Sequence, residues 1–193
     1  MDVESLNTRI FKLINHLALT HTTLNQVEVF LAKFSPFGFV IVLAVLWFKK
    51  DEYKKPVLFC TYTATLGLLL NQLIAIFYFH PRPFMNHIGT LLIPHVPETS
   101  FPSDHATFMF SIAITLLLFK NTKILGYMLL ILGALGAIAR VYCGLHYPFD
   151  ILGSFVVASF SCLTIVKIFR KNSETLTEKL LKTYQRIFKK VVK

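Results

Sequence analysis

The sequence predicts an all-α, polytopic membrane bundle of about five transmembrane helices with amphipathic helices at its two ends. Three observations lead there. The mean hydropathy is +0.60, and 54% of residues are hydrophobic. Five long apolar stretches are divided by short polar connections. The basic residues sit in those connections and in the tail, not across a polar domain. A length of 193 residues suits one domain, so 1–193 is read as a single integral membrane unit.

The segments follow in order. Met1–Leu19 carries Asp2, Glu4, Arg9 and Lys12 among apolar residues, which reads as an amphipathic helix, and no cleavable signal is expected. The apolar runs are Phe34–Phe48, Pro56–Phe79, Ala106–Phe119, Ile124–Tyr142 and Pro148–Phe169. A spanning helix needs about 20 residues. The first run reaches that length from near Val27 if Lys33 snorkels. The third stays short even when extended back to Ser103. Its start is therefore expected below the membrane surface, in a polar cavity enclosed by protein.

Charge sets the expected orientation. The chain carries a net +10, a balance that in a polar domain would suggest nucleic acid. Here Lys49, Lys50, Lys54 and Lys55 follow the first run, and Lys120 and Lys123 follow the third. Lys167, Arg170, Lys171, Lys179, Lys182, Arg186, Lys189, Lys190 and Lys193 lie at or after the fifth. Fifteen of the 20 basic residues thus share one side, which marks it as cytoplasmic and favours membrane lipid over nucleic acid as partner. The tail, 172–193, reads as a basic amphipathic helix with a Thr175-x-x-Glu178 capping box and an apolar stripe of Leu176, Leu180, Tyr184, Ile187 and Val191. It would lie on anionic lipid, or else form a solvated or partner-binding helix. The three cysteines, Cys60, Cys143 and Cys162, have neither metal spacing nor a disulfide pattern.

Three polar motifs interrupt this apolar chain, all on the side facing outward: His80–Phe84 (HPRPF), Phe101–Ala106 (FPSDHA) and Arg140–Asp150 (RVYCGLHYPFD). Ionisable residues in or beside membrane spans are costly and point to function. Pro148 suits the first turn of a helix, which places His146 just before it and Asp150 within that turn. A carboxylate there can accept a hydrogen bond from one imidazole nitrogen and leave the other as a nucleophile. Arg140 offers a forked donor to phosphate oxygens. Ser103 reads as an N-cap, and a helix N-terminus suits phosphate. His105 lies in the first turn, placed to protonate a departing oxygen. Arg82 is held between Pro81 and Pro83. His80, His87 and His95 share the outer loop with His105, but their spacing matches no zinc pattern, so no metal site is assigned.

Taken together, these residues resemble the three-part signature of the type 2 phosphatidic acid phosphatase superfamily: Lys-x6-Arg-Pro, Pro-Ser-Gly-His and Ser-Arg-x5-His-x3-Asp. This chain has Arg82-Pro83, Pro102-Ser103-Asp104-His105 and Arg140-x5-His146-x3-Asp150. The resemblance implies that family's helical bundle and a phosphohistidine mechanism without cofactor or catalytic metal. It implies that His146 is the nucleophile, Asp150 its orienting group and His105 the acid and base. Arg82, Arg140 and Ser103 would hold the phosphate, with Asp104 beside them in the family's glycine position. The family lysine falls at Ala75, and the serine before Arg140 is Ala139. The lysine-less form with Pro-Ser-Asp-His is similar to the bacitracin-resistance type of undecaprenyl pyrophosphate phosphatase. That resemblance implies a polyprenyl pyrophosphate substrate, hydrolysed on the outer face of a bacterial plasma membrane. Two alternatives remain open: a phosphatase of another lipid (phosphatidylglycerophosphate, phosphatidic acid or a lipid A phosphate) and a membrane transporter. Asn71, one turn before Ala75, is the candidate to stand in for the lysine.

Overall fold

The computed structural model describes residues 2–20 and 22–188. Helix α1 (Val3–Asn15) starts at Asp2, whose carboxylate accepts from the Glu4 N–H at 2.7 Å. A 3₁₀ turn leads into α2 (Thr22–Lys49) and, after Lys50, α3 (Asp51–Phe77). A long loop, 78–103, precedes α4 (Asp104–Leu117), then α5 (Lys123–Tyr142) and α6 (Pro148–Leu163). A π turn, Thr164–Ile168, carries α6 almost directly into α7 (Arg170–Phe188).

Among the described residues, four helices are long and apolar enough to cross a membrane, at Thr22–Lys49, Asp51–Phe77, Lys120–Tyr142 and Pro148–Ile168. The fifth apolar helix, α4, has 14 residues, short as its sequence predicts. It is the centre of the bundle, packed against α3, α5 and α6. Met109, Ile112, Ala113 and Leu116 of α4 are buried with Phe39 of α2 and Cys60 and Ala64 of α3. Apolar faces drive little helix association in lipid, so polar side chains contribute. Thr115 meets the Thr63 hydroxyl at 2.7 Å and the Cys162 thiol at 3.2 Å, and Asn71 donates to Thr107 Oγ1 at 3.0 Å. The perimeter is greasy, with Phe30, Phe34, Phe37, Ile41, Ile131 and Val156 exposed.

The cationic corners gather at one end. Lys55 of α3 meets Glu174 of α7 at 2.8 Å, Asn121 donates to Glu52 at 3.0 Å, and Lys54 lies over the Tyr184 ring. Helix α7 corrects one expectation. Because the chain continues from the π turn, Thr175 falls inside the helix and donates to the Lys171 carbonyl at 2.8 Å, so it does not begin a capping box. Ser173 and Thr177 are buried, while Leu176, Leu180 and Ile187 are exposed and Tyr184 packs edge-on to Trp47. Val191, Lys189, Lys190 and Lys193 lie outside the described residues.

Candidate active site

The opposite end of the bundle carries the three motifs, and the local sequence explains how they meet. Tyr142 ends α5. Gly144 then adopts φ 80°, a left-handed conformation that glycine reaches without strain. A Cβ there would collide with the Thr90 carbonyl oxygen. The turn brings Leu145 N–H back onto the Arg140 carbonyl at 3.0 Å, so His146 lies over the guanidinium six residues earlier. Pro148 restarts the helix, and the Asp150 carboxylate accepts from the Tyr147 N–H at 2.7 Å. In the long loop, Ser100 N–H donates to the His80 carbonyl at 2.7 Å and His80 N–H to Thr99 Oγ1 at 3.1 Å. This pairing clamps the loop arms and delivers Arg82 and Ser100 to His146.

His146 is 1% exposed. Its Nδ1 lies 2.9 Å from the Ser100 carbonyl, which can only accept, so Nδ1 carries the hydrogen and Nε2 the lone pair. Two guanidinium groups face that lone pair, Arg82 Nη1 at 3.2 Å and Arg140 Nη2 at 3.5 Å. Burial pushes the imidazole down to about 3, aided by Arg140 and Arg82 and opposed by Asp150. The ring is therefore neutral near pH 7. Arg82 Nη1 also donates to the Leu145 carbonyl at 2.9 Å and Nη2 to Glu98 at 2.9 Å. Arg140 Nη1 donates to the Ala32 carbonyl at 3.2 Å.

Asp150 departs from the expected direct bond to His146. Its nearest oxygen is 3.6 Å from Nδ1, too far for a hydrogen bond. The Ser100 backbone takes the imidazole hydrogen, and the Ser100 hydroxyl donates to Asp150. Ser100 is therefore the bridge between histidine and carboxylate. The other Asp150 oxygen is 3.3 Å from His80 Nδ1. That bond to Asp150 raises His80 above the ordinary histidine value, with Glu4 of α1 adding to it.

A cavity of about 260 Å³ opens beside Nε2, lined by Arg82, Arg140, His105, Asp104, Asn71 and Glu98 among others. Ala75 also lines it, so the family's lysine position does face the site. Ser103 is the N-cap residue of α4, but its hydroxyl makes no capping bond and is buried without a partner among the described residues. The Asp104 carboxylate accepts from Asn71 Nδ2 at 2.7 Å and Gln72 Nε2 at 3.3 Å, so Asn71 engages it and leaves the lysine position unfilled by charge. Among the described residues no group of three or more His, Cys, Asp or Glu side chains is arranged to hold a metal ion. Sequence reasoning did not single out Ser100 or Glu98, and it weighed His80 only as a metal candidate. The one signal was position: Glu98 and Ser100 stand five and three residues before Ser103.

A buried histidine and paired arginines thus stand at the end of an apolar helical bundle, a set of donors whose geometry suits a phosphate group. The chain belongs to the PAP2 superfamily, whose model matches residues 55–174. It is 37% identical to undecaprenyl-diphosphatase BcrC of Bacillus subtilis over 97% of this chain and 96% of that protein. A Bacillus licheniformis protein described as bacitracin transport permease BcrC is 27% identical over 100% of this chain and 94% of its own. Among solved structures, LpxE of Aquifex aeolicus superposes with a TM-score of 0.71 at 24% identity, covering 84% of this chain and 97% of that one. The last likeness concerns the fold.

Proposed function

We propose that this protein is an undecaprenyl pyrophosphate phosphatase, hydrolysing the pyrophosphate lipid to its monophosphate and inorganic phosphate. One observation carries the chemistry: the His146 lone pair lies between two guanidinium groups, at 3.2 and 3.5 Å, beside a polar cavity. The substrate choice rests on the full-length likeness to BcrC of Bacillus subtilis. The basic corners at the far end of the bundle support an outward-facing site in a bacterial plasma membrane.

Nε2 of His146 attacks the terminal phosphorus, and the N–P bond forms as the bridging P–O bond breaks. The electron pair goes to the bridging oxygen, which leaves on the lipid monophosphate with a proton from His105. Arg82 and Arg140 stabilise the equatorial oxygens as charge spreads over them. Arg82 Nε, Arg140 Nε and Ser103 Oγ are buried without partners among the described residues, and an oxyanion would satisfy such donors, each of which costs about 1–3 kcal/mol when left unpaired. His105 then takes a proton from water, whose oxygen attacks the phosphohistidine. The N–P electrons return to Nε2 and phosphate leaves. Asp150, through Ser100, balances the charge that appears on the imidazole. The bacitracin association of the Bacillus licheniformis relative needs no transport step, because bacitracin sequesters the same pyrophosphate lipid.

The test is phosphate release by the purified protein in detergent, on undecaprenyl pyrophosphate, phosphatidylglycerophosphate and phosphatidic acid, with and without chelator. Wild type should favour the pyrophosphate and resist chelator, and His146→Ala should abolish release while the protein stays folded. Preference for another lipid overturns the substrate, and activity in His146→Ala overturns the mechanism.

A further inference from the structure

Helix α2 contains Pro36 in its interior. A proline there has no N–H for the carbonyl four residues back, and its ring pushes that carbonyl off the helix axis. The carbonyl in question belongs to Ala32, and it receives Arg140 Nη1 at 3.2 Å. Helices α2 and α5 approach closely just here. A Cβ on Gly136, one turn before Arg140, would meet Ser35 Cβ at 2.9 Å. Ala32 and Ala139 are both fully buried in the same contact region. Small residues thus set the spacing, and the proline supplies the acceptor.

We propose that the Pro36 break in α2 is a positioning device, whose freed Ala32 carbonyl holds the Arg140 guanidinium in place for phosphate. Arg140 keeps two duties apart by this means. Nη1 is anchored to a helix that lines no part of the cavity, while Nη2 stays 3.5 Å from His146 Nε2. A fixed fork loses less freedom when it binds an oxyanion than a mobile one does. An unbroken α2 would direct the Ala32 carbonyl along its own axis, toward the N–H of residue 36. The second lone pair would then be a poorer anchor. The inference rests on the reading that Arg140 binds phosphate, and it makes Pro36 and Gly136 positioning residues.

The experiment combines two readouts on detergent-solubilised wild type, Pro36→Ala, Arg140→Lys and the double variant. One is turnover of undecaprenyl pyrophosphate. The other is thermal protection by inorganic orthophosphate, which needs no turnover. Pro36→Ala should lower kcat/KM about tenfold and weaken orthophosphate protection to a similar degree, with melting temperature equal to or above wild type. In the Arg140→Lys background the same change should have no further effect, because the anchored group is gone. Pro56→Ala, in the first turns of α3 at the far end, reports what losing a helix proline does by itself and should leave both readouts unchanged. Unaltered orthophosphate protection in Pro36→Ala overturns the inference, as does an equal loss with and without Arg140. If wild type binds orthophosphate in a Pro36-dependent way yet spares the pyrophosphate lipid, the substrate assignment fails and the positioning device stands.

Discussion

Replacing Ser100 by alanine separates the two ways in which a carboxylate can support His146. The substitution deletes only Oγ. The Ser100 carbonyl remains 2.9 Å from Nδ1, so the tautomer that exposes the Nε2 lone pair is kept. What disappears is the hydroxyl bond to Asp150, leaving that carboxylate to the Tyr147 N–H and His80. A hydrogen bond to a charged group is worth about 1.5–3 kcal/mol. If that support is felt when the imidazole becomes charged, kcat should fall roughly 10- to 150-fold at about 1.4 kcal/mol per decade. KM should stay near wild type, because Arg82 and Arg140 keep their partners. Steady-state phosphate release in detergent reads both constants, with Asp150→Asn as the companion. Ser100→Ala in the Asp150→Asn background should add little, since the two act on one bond. A wild-type kcat for Ser100→Ala would refute the bridge, and full additivity would show two unconnected roles.

Other outcomes follow from the same geometry. Glu98 occupies Arg82 Nη2 at 2.9 Å, yet its side chain is 52% exposed. Such a pair contributes about 0.2–1 kcal/mol, so Glu98→Gln should lower KM by at most about five-fold by removing a competitor for the guanidinium, and a raised KM would show that Glu98 holds Arg82 in place instead. His146, pushed down to about 3 by burial, stays neutral in the folded protein while the unfolded chain takes a proton below about pH 6.5. Stability should therefore fall as pH drops below that point, by up to about 1.4 kcal/mol per unit. His80 has the opposite sign: its pKa is raised, so its contribution is complete below about pH 6.5 and is lost as pH rises through the folded value. Melting temperature in detergent from pH 5 to 8 checks both, and His146→Asn should flatten the acid limb. Gly144→Ala combines a φ of 80° with the Thr90 collision and should cost more than about 1 kcal/mol, read as a lower melting temperature together with lost activity.

The spans were legible because charged residues or prolines flank most of the apolar runs: Lys49 follows the first, Lys120 the third and Arg170 the fifth, while Pro56 and Pro148 open the second and fifth. Predicted and observed boundaries agree within two residues for Ile124–Tyr142 (Lys123–Tyr142) and for Ala106–Phe119 (Asp104–Leu117). The arginines and histidines of the motifs were also legible, since they interrupt the apolar chain on the side away from the lysine-rich connections. Ser100, Glu98 and the role of His80 were not, because they come from the loop 78–103, which has no periodicity to fix where its side chains point. Helix α1 was readable as amphipathic but not as a brace. Asn7 accepts from the Phe149 N–H at 3.0 Å, and Asn15 donates to the Tyr142 carbonyl at 2.7 Å. These asparagines secure both flanks of the His146 turn, and with Phe11 they form the buried face of α1, a role that a short polar side chain does not announce in a sequence.

The brevity of α4 has a consequence for how a membrane enzyme meets a long-chain lipid. Fourteen residues rise about 21 Å, against a hydrocarbon layer about 30 Å thick. In the orientation proposed above, with the cationic corners at one membrane face, the N-terminus of α4 and the cavity above it would lie several ångströms inside the layer. A head group can then be reached with little lifting of its chain out of the bilayer. Under the proposed function the polyprenyl tail would stay among lipid tails, and only water going in and orthophosphate coming out would cross the boundary.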